Sequence, residues 1–426
     1  MQYQSVPSVL NPDPELIEVD SHVAARYGEL MLHSHFQPIY SISHRRVIGH
    51  EALLRARDSQ GAPIPPPVLF ERCRSPEELC RLDWLASLTH CSNFARAHRR
   101  NEWLFLNVHP GTFDELGHHA AYDLESLFLE HVGVPARHVV IEVLEHAIDA
   151  SGEARFEEEI ARLRALGCMI SLDDFGAGHS NFDRVWRLRP DIVKLDRSVV
   201  ARAARDRAVR RVTSQMVSML HECGALVLME GVETEDEAHI ALDSDADFVQ
   251  GYLFGKPAPT PVPACEPCHP LEAAWGRFDE RWVSDRAQYD DHLSPYRQAI
   301  VQASRALRNQ DTAHAAFREF LALPDAHMGY LLDARGLQIG GNVTLATSRN
   351  CATCQSCVSD SPLSDTRNAR WSRRPYFRRA LNAPGTVQVT RPYLNIQSQR
   401  MCITLSRGFV MGGETVIVCG DVNWDD

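Results

Sequence analysis

Cys168–Met169–Ile170–Ser171–Leu172–Asp173–Asp174–Phe175–Gly176–Ala177–Gly178 is an apolar run ending in two adjacent carboxylates and a glycine-rich turn. The run reads as a buried strand. Neighbouring residues of a strand point to opposite faces. Aiming both carboxylates at one place therefore needs a backbone turn there, which glycines permit. Two carboxylates held close repel unless a cation or proton lies between them. The stretch thus reads as a divalent-metal site at the C-terminal end of a strand. Taken alone it reads first as a solvated turn, since Asp and Gly are common turn residues.

Its surroundings reverse that order. Apolar runs that read as strands precede it at Phe36–Ile42, Val47–Arg55, Trp103–Val108 and Val139–Leu144. Others follow at Ile192–Asp196, Ala225–Glu230 and Phe248–Tyr252. Helical spacing falls between them, at Leu79–Ala97, Arg155–Leu166 and Val212–His221. This strand–loop–helix rhythm predicts a TIM-like (β/α)8 barrel in the α/β class. The polar exceptions fall within or just after the strands: Glu51, Asn107, Glu142, Asp173, Asp174, Lys194, Glu230 and Gln250. In such a barrel the C-terminal strand ends converge on one mouth, where the site is built.

The chain has 426 residues and 12 cysteines, with a formal net charge of −12. That length suggests two or three domains. The acidic balance argues against coating DNA, but not against binding a small phosphate ligand. No stretch approaches the run of about 20 apolar residues that spans a bilayer. Residues 1–30 read as a polar leader turning helical near Ala24–Leu32, without the apolar segment of a signal peptide. A cytoplasmic protein with reduced or metal-bound thiols is the expectation.

The ordered motifs resemble one family, the EAL-domain phosphodiesterases of cyclic di-GMP. They are Glu51–Ala52–Leu53–Leu54–Arg55, Leu106–Asn107–Val108, Ile141–Glu142–Val143–Leu144–Glu145, the Asp173–Asp174 stretch, Val193–Lys194–Leu195–Asp196, Glu230–Gly231–Val232–Glu233–Thr234 and Gln250–Gly251–Tyr252. The resemblance spans residues 31–260 and implies roles by position. Glu51, Asn107, Glu142 and Asp173 match the ligands of one cation. Asp173, Asp174 and Glu230 match those of a second. Lys194 matches the lysine near the attacking water, with Gln250 beside it. Arg55 matches the residue facing a ligand phosphate, and Gln37, Pro38, Leu54 and Asp196 complete the implied substrate contacts. Glu145, Glu233, Phe175 and Gly176 match positions that anchor the loop after Asp174, a loop linked to dimerisation and activity.

Hard oxygen donors with one amide suit Mg2+ or Mn2+ rather than zinc. Two such ions about 4 Å apart can activate water and steady both oxygens of an in-line phosphodiester displacement. The implied product is linear pGpG, from a homodimer. Two other readings stay open: a module that binds cyclic di-GMP without cutting it, and a barrel hydrolase that cleaves sugars with a carboxylate pair.

Residues 261–319 read as a Pro-rich boundary and helical linker. Inside it, Cys265–Glu266–Pro267–Cys268–His269 has the spacing of c-type haem attachment, but chemistry of that kind belongs outside the cytoplasm. Residues 320–426 read as a smaller α+β domain resembling PAS-like sensors of the Cache type, with a regulatory role through an unknown ligand or dimerisation. Cys351, Cys354 and Cys357 could ligate metal or respond to oxidants there, or lie on a plain loop.

Overall fold

The computed structural model describes residues 15–97, 101–109, 111–112, 134–144, 153–178, 182–263, 268–344, 366, 369–395 and 400–424. By its contacts the chain divides into two units, Met1–Glu280 and Arg281–Asp426.

In the first unit, strands β1 (Leu16–Val19), β2 (His22–Tyr27), β3 (Leu30–Ser41), β4 (Arg46–Arg57) and β5 (Pro63–Ile64) open the chain. Next come β6 (Trp103–Asn107), β7 (Val139–Leu144), β8 (Met169–Phe175), β9 (Ile192–Leu195), β10 (Leu226–Met229) and β11 (Phe248–Val249). Strands β4, β6, β7, β8, β9, β10 and β11 pair in parallel, in that order. Strand β3 closes the ring, antiparallel to both β4 and β11. The barrel is therefore TIM-like and eight-stranded, but its first strand is inverted relative to a (β/α)8 repeat. The reason is local. Only Ile42–Arg45 separates β3 from β4, with Arg45 at φ 54°, and so short a link makes a hairpin rather than a crossover.

The expected leader is also corrected. Residues 16–27 are strands, with β1 on β2 and β2 on β3. Ala24 and Ala25 have high helix propensity, but burial and pairing with Ile17 and Leu32 outweigh it.

The barrel floor explains where the site lies. Ile39, Phe105, Val140, Ile192, Leu228 and Phe248 form one buried apolar cluster, one residue per strand. Two positions onward along each parallel strand, on the same face, stand Asn107, Glu142, Lys194, Glu230 and Gln250. On inverted β3 the step runs backwards, from Ile39 to Gln37. A Cβ on Gly49 would lie 3.1 Å from the Phe105 ring and 2.6 Å from the Trp103 carbonyl oxygen. Glycine there leaves space for the floor, two residues below Glu51. From Gly49 onward the odd residues of β4 thus face the barrel axis, while Ala52, Leu54 and Ala56 join the core between barrel and helices; before the register shift the order is reversed, with Val47 in that outer core and Ile48 on the floor.

The second unit holds β12 (Ala326–Asp333), β13 (Gln338–Val343), β14 (Gln388–Val389), β15 (Tyr393–Leu394), β16 (Met401–Met411) and β17 (Glu414–Asn423). They make an antiparallel sheet in the order β13–β12–β17–β16–β14, with β15 also on β16. The helix His269–Arg308 contributes Leu293, Tyr296, Ile300 and Ala303 to this unit's core, joined by Phe317, which lies between two short helices that follow (Ala313–Ala316 and Arg318–Leu321), and by Phe320 of the second. The long helix ends at Arg308, and after Asn309–Thr312 the chain forms the two short helical turns.

Candidate active site

Strand β8 resolves the problem posed by its adjacent carboxylates. Its register on β9 shifts between Leu172 and Phe175, a bulge that spans Asp173 and Asp174. Asp174 itself takes the left-handed conformation, φ 56°, and its N–H donates to Asp173 Oδ1 at 3.0 Å. The chain therefore turns first at the second aspartate, one of the few side chains that tolerate this region, and again at Gly176, φ 95°. One carboxylate oxygen each from Asp173, Asp174 and Glu230 fall within 4.8 Å of one another.

Lys194 stands among these acids, 1% exposed. Its Nζ lies 2.6 Å from Glu142 Oε1, 2.6 Å from Glu230 Oε1, 3.1 Å from Asp173 Oδ1 and 3.8 Å from Glu51 Oε1. Burial works against its charge, but Asp173, Glu142, Glu230 and Glu51 outweigh that and hold its pKa well above the usual lysine value. Burial likewise pushes Glu142 and Glu230 well above the carboxylate range, although Lys194 opposes it. Asp174 is raised by burial, then by Asp173 and Asp196. One ammonium thus leaves the acids short of positive charge. Glu142 Oε2 is buried without a hydrogen-bond donor. Hard, oxygen-rich and short of cations, this donor set fits divalent ions.

Amides complete the mouth. Asn107 Nδ2 donates to Glu51 Oε1 at 3.0 Å, and Gln250 Nε2 donates to Glu51 Oε2 at 2.7 Å. Gln37, opposite Glu51 in the β3–β4 hairpin, donates to the Gly255 carbonyl at 3.2 Å. Pro38 pairs with His50 one step along. Asp196 accepts from Ser198 N at 2.9 Å, capping the helix Arg197–Arg205 that follows β9.

Arg55 lies further along β4 and lines a cavity with Arg57, His22, His33 and His35; its positive charge comes from the two guanidiniums, since burial and those arginines lower the pKa of His33 and His35. Arg55 donates to the Leu54 carbonyl at 2.9 Å. The Leu54 side chain is buried in the core on the other strand face. Phe175 is buried and meets the Phe182 ring edge-on at 5.3 Å. Glu233 is exposed, and its N–H donates to Glu237 Oε2 at 2.8 Å. Glu145, Cys265, Cys351, Cys354 and Cys357 lie outside the described residues. Cys268, Cys402 and Cys419 are buried free thiols.

Two supporting residues escaped the sequence reading. Buried Asp83 accepts from His109 N at 3.1 Å and Thr112 Oγ1 at 2.8 Å, fixing the loop after Asn107. Its signal was an acid inside the apolar helical run Leu82–Leu85. Arg202 donates to the Gly176 carbonyl at 3.2 Å, tethering the turn after Asp174.

The family model of the EAL domain matches residues 26–257, more than half of the chain. The chain belongs to the EAL-domain family. Among its relatives, an uncharacterized protein of Azorhizobium caulinodans is 30% identical over 241 residues, covering 54% of this chain and 31% of that one. The cyclic di-GMP phosphodiesterase RocR of Pseudomonas aeruginosa is 27% identical over 228 residues, covering 53% of this chain and 57% of that one. This chain therefore spans less than two thirds of either relative. The Bacillus subtilis YkuI protein, with an EAL domain, was solved in complex with substrate c-di-GMP and calcium. It shares the fold over 93% of this chain and 97% of its own, with a TM-score of 0.75 at 20% identity. Among the described residues no helix is long and apolar enough to cross a membrane.

Proposed function

We propose that the EAL barrel hydrolyses cyclic di-GMP to linear pGpG. The observation that carries this is the gathering of Glu51, Glu142, Asp173, Asp174 and Glu230 around the single ammonium of Lys194. Five carboxylates less one ammonium leave four negative charges, the number that two divalent cations balance. Glu51, Asn107, Glu142 and Asp173 would hold one Mg2+ or Mn2+, and Asp173, Asp174 and Glu230 the other. Such cations, when bound, lower the pKa of water and offset charge on a phosphoryl group.

The chain's own residues do the rest. Lys194, held protonated, orients the attacking oxygen as a donor and does not act as a base. Gln250 and Asn107 grip both oxygens of Glu51 and fix how it faces the mouth. Arg55 meets a phosphate of the dinucleotide. The carboxylates carry the charge and Lys194 the donor geometry, which suits in-line displacement at phosphorus better than sugar cleavage by an acid pair. We read the second unit as a PAS-like, Cache-type regulator, and the active form as a homodimer whose contacts reach the turn at Phe175–Gly176.

Incubation of purified protein with cyclic di-GMP and Mg2+ or Mn2+ tests the proposal. Formation of pGpG is the expected result. Tight binding without product would replace hydrolysis by a receptor role.

A further inference from the structure

Residues 366–413 contain nine arginines and neither an aspartate nor a glutamate. At the chain's average of 56 acids in 426 residues, a stretch of that length would hold about six. The whole chain has a net charge of −12, so this stretch runs against the rest of it.

The fold turns most of that charge to one side. The sheet of the second unit is covered on both faces. Leu293, Ile300 and Phe320 pack on one face, against Leu331 and Val418. On the other, Met328, Tyr330, Leu332, Ile417 and Cys419 are covered by Trp371, Tyr376, Phe377 and Ala380. The last three belong to the helix Pro375–Asn382, which leaves Arg378, Arg379 and Leu381 exposed. Arg370 and Arg373, just before it, are exposed as well. Arg374, at the start of the helix, lies 5.9 Å from the centre of the Tyr393 ring, which places β15 beside it. There Arg391 and Leu394 are exposed. Among the described residues no carboxylate pairs with Arg370, Arg373, Arg378 or Arg379. Asp421 is buried beneath this layer, where Thr404, Asn395 and Tyr330 donate to it. Arg407 stands apart. Its neighbour Ser406 donates to the Tyr376 carbonyl, so alternation sends Arg407 to the opposite face, where it donates to Ser304.

A guanidinium offers phosphate a planar fork of donors. Leu381 and Leu394, 38% and 63% exposed, stand among these forks as apolar tips. A nucleic-acid strand would call on exposed rings to stack on its bases. The rings of this layer are turned inward instead, and Trp371, Tyr376 and Tyr393 line a small cavity on the sheet with Met328 and Asp421. An acidic protein surface would answer the arginines but not the leucines. Arginines interleaved with apolar tips suit the headgroup region of a bilayer.

We propose that this layer docks on an anionic phospholipid surface, with its arginines on headgroup phosphates and Leu381 and Leu394 at the acyl boundary. The inference is independent of the barrel's chemistry.

Sedimentation of the full chain with lipid vesicles tests it without reading turnover. The chain should bind vesicles of phosphatidylcholine mixed with phosphatidylglycerol and not those of phosphatidylcholine alone. It should come off at about 1 M salt, where the screening length is about 3 Å. One arginine near such a surface is worth about fivefold in binding, so Arg378→Gln with Arg379→Gln should weaken it by about twenty-fivefold. Leu394→Ser should weaken it too. Arg205→Gln with Arg207→Gln, exposed on the first unit, changes the net charge equally and should leave binding as it was. An unchanged melting temperature shows that each variant still folds. The proposal falls if neutral vesicles bind equally well, if neither vesicle binds, or if both arginine pairs weaken binding equally. Binding of a DNA duplex, or self-association, in place of vesicle binding would also overturn it, giving the layer to nucleic acid or to a second copy of the chain.

Discussion

Lys194 Nζ on β9 lies 2.6 Å from Glu142 Oε1 on β7, reaching past the intervening strand that carries Asp173. It can do so because all three side chains stand on the inner face, above the apolar floor. The contact makes Lys194 the resident cation of an acidic mouth. Removing it as Lys194→Met should leave several buried carboxylates uncompensated, a loss on the order of 3–5 kcal/mol without metal. Added Mn2+ should therefore raise the melting temperature more in the variant than in the wild type. Hydrolysis should fall by about 10²–10³, the usual effect of losing one donor aimed at developing charge. Undiminished hydrolysis with intact metal binding would end the role assigned to Lys194.

Asp174 carries two demands at once, a charge and a left-handed backbone at φ 56°. Asn meets the second and not the first. Asp174→Asn should keep cyclic di-GMP binding and wild-type-like stability while losing most hydrolysis. Asp174→Ala loses the charge too and adds about 1–2 kcal/mol of backbone strain. Urea unfolding of the pair checks the difference, and equal stability would show that the bulge does not depend on the residue type.

The acids of the mouth were legible because each interrupts an apolar strand at its C-terminal end, where a barrel gathers polar groups. Inversion of β3 was hidden, since direction depends on the length of the Ile42–Arg45 link and not on the strand residues. The helix expected at Ala24–Leu32 failed because its alanines read as helix formers until Ile17 and Leu32 pair with them. Burial of the Leu54 side chain in the outer core was legible too, since alternation from Glu51 sends it outward. The second-unit cavity joins residues from Met328 to Asp421, a separation that no local pattern reveals.

Asp83 supports the site through a proton. Its pKa is raised by burial to about 7, above its ordinary 3.8, against the pull of Thr112 and His109. A raised carboxylate favours the native state while protonated. Its contribution is present in full below about pH 4 and is lost as pH rises to about 7, with no further change above. Asp83→Asn stays neutral throughout. The variant should therefore gain on the wild type, by a few kcal/mol at most, between about pH 5 and about pH 8. Urea unfolding at the two pH values measures this, and a pH-independent difference would mean an ordinary carboxylate.

Gly176 is held on two sides. Its φ of 95° disfavours any side chain, and a Cβ there would overlap the Val199 side chain. Its carbonyl accepts from Arg202. Helix Arg197–Arg205 thus fixes the turn that follows Asp174 by contact and by hydrogen bond together. Gly176→Ala should cost about 1–3 kcal/mol and displace Asp174, lowering hydrolysis about tenfold or more while leaving Lys194 and its acids in place. Adding Val199→Ala removes the overlap but not the backbone strain, so the double variant should recover only part of both losses. Arg202→Gln should lower hydrolysis with little change in stability, because the tether is exposed and its energetic worth small. Stability and pGpG formation measured on the three variants separate these contributions. Full recovery in the double variant would assign the glycine to packing alone.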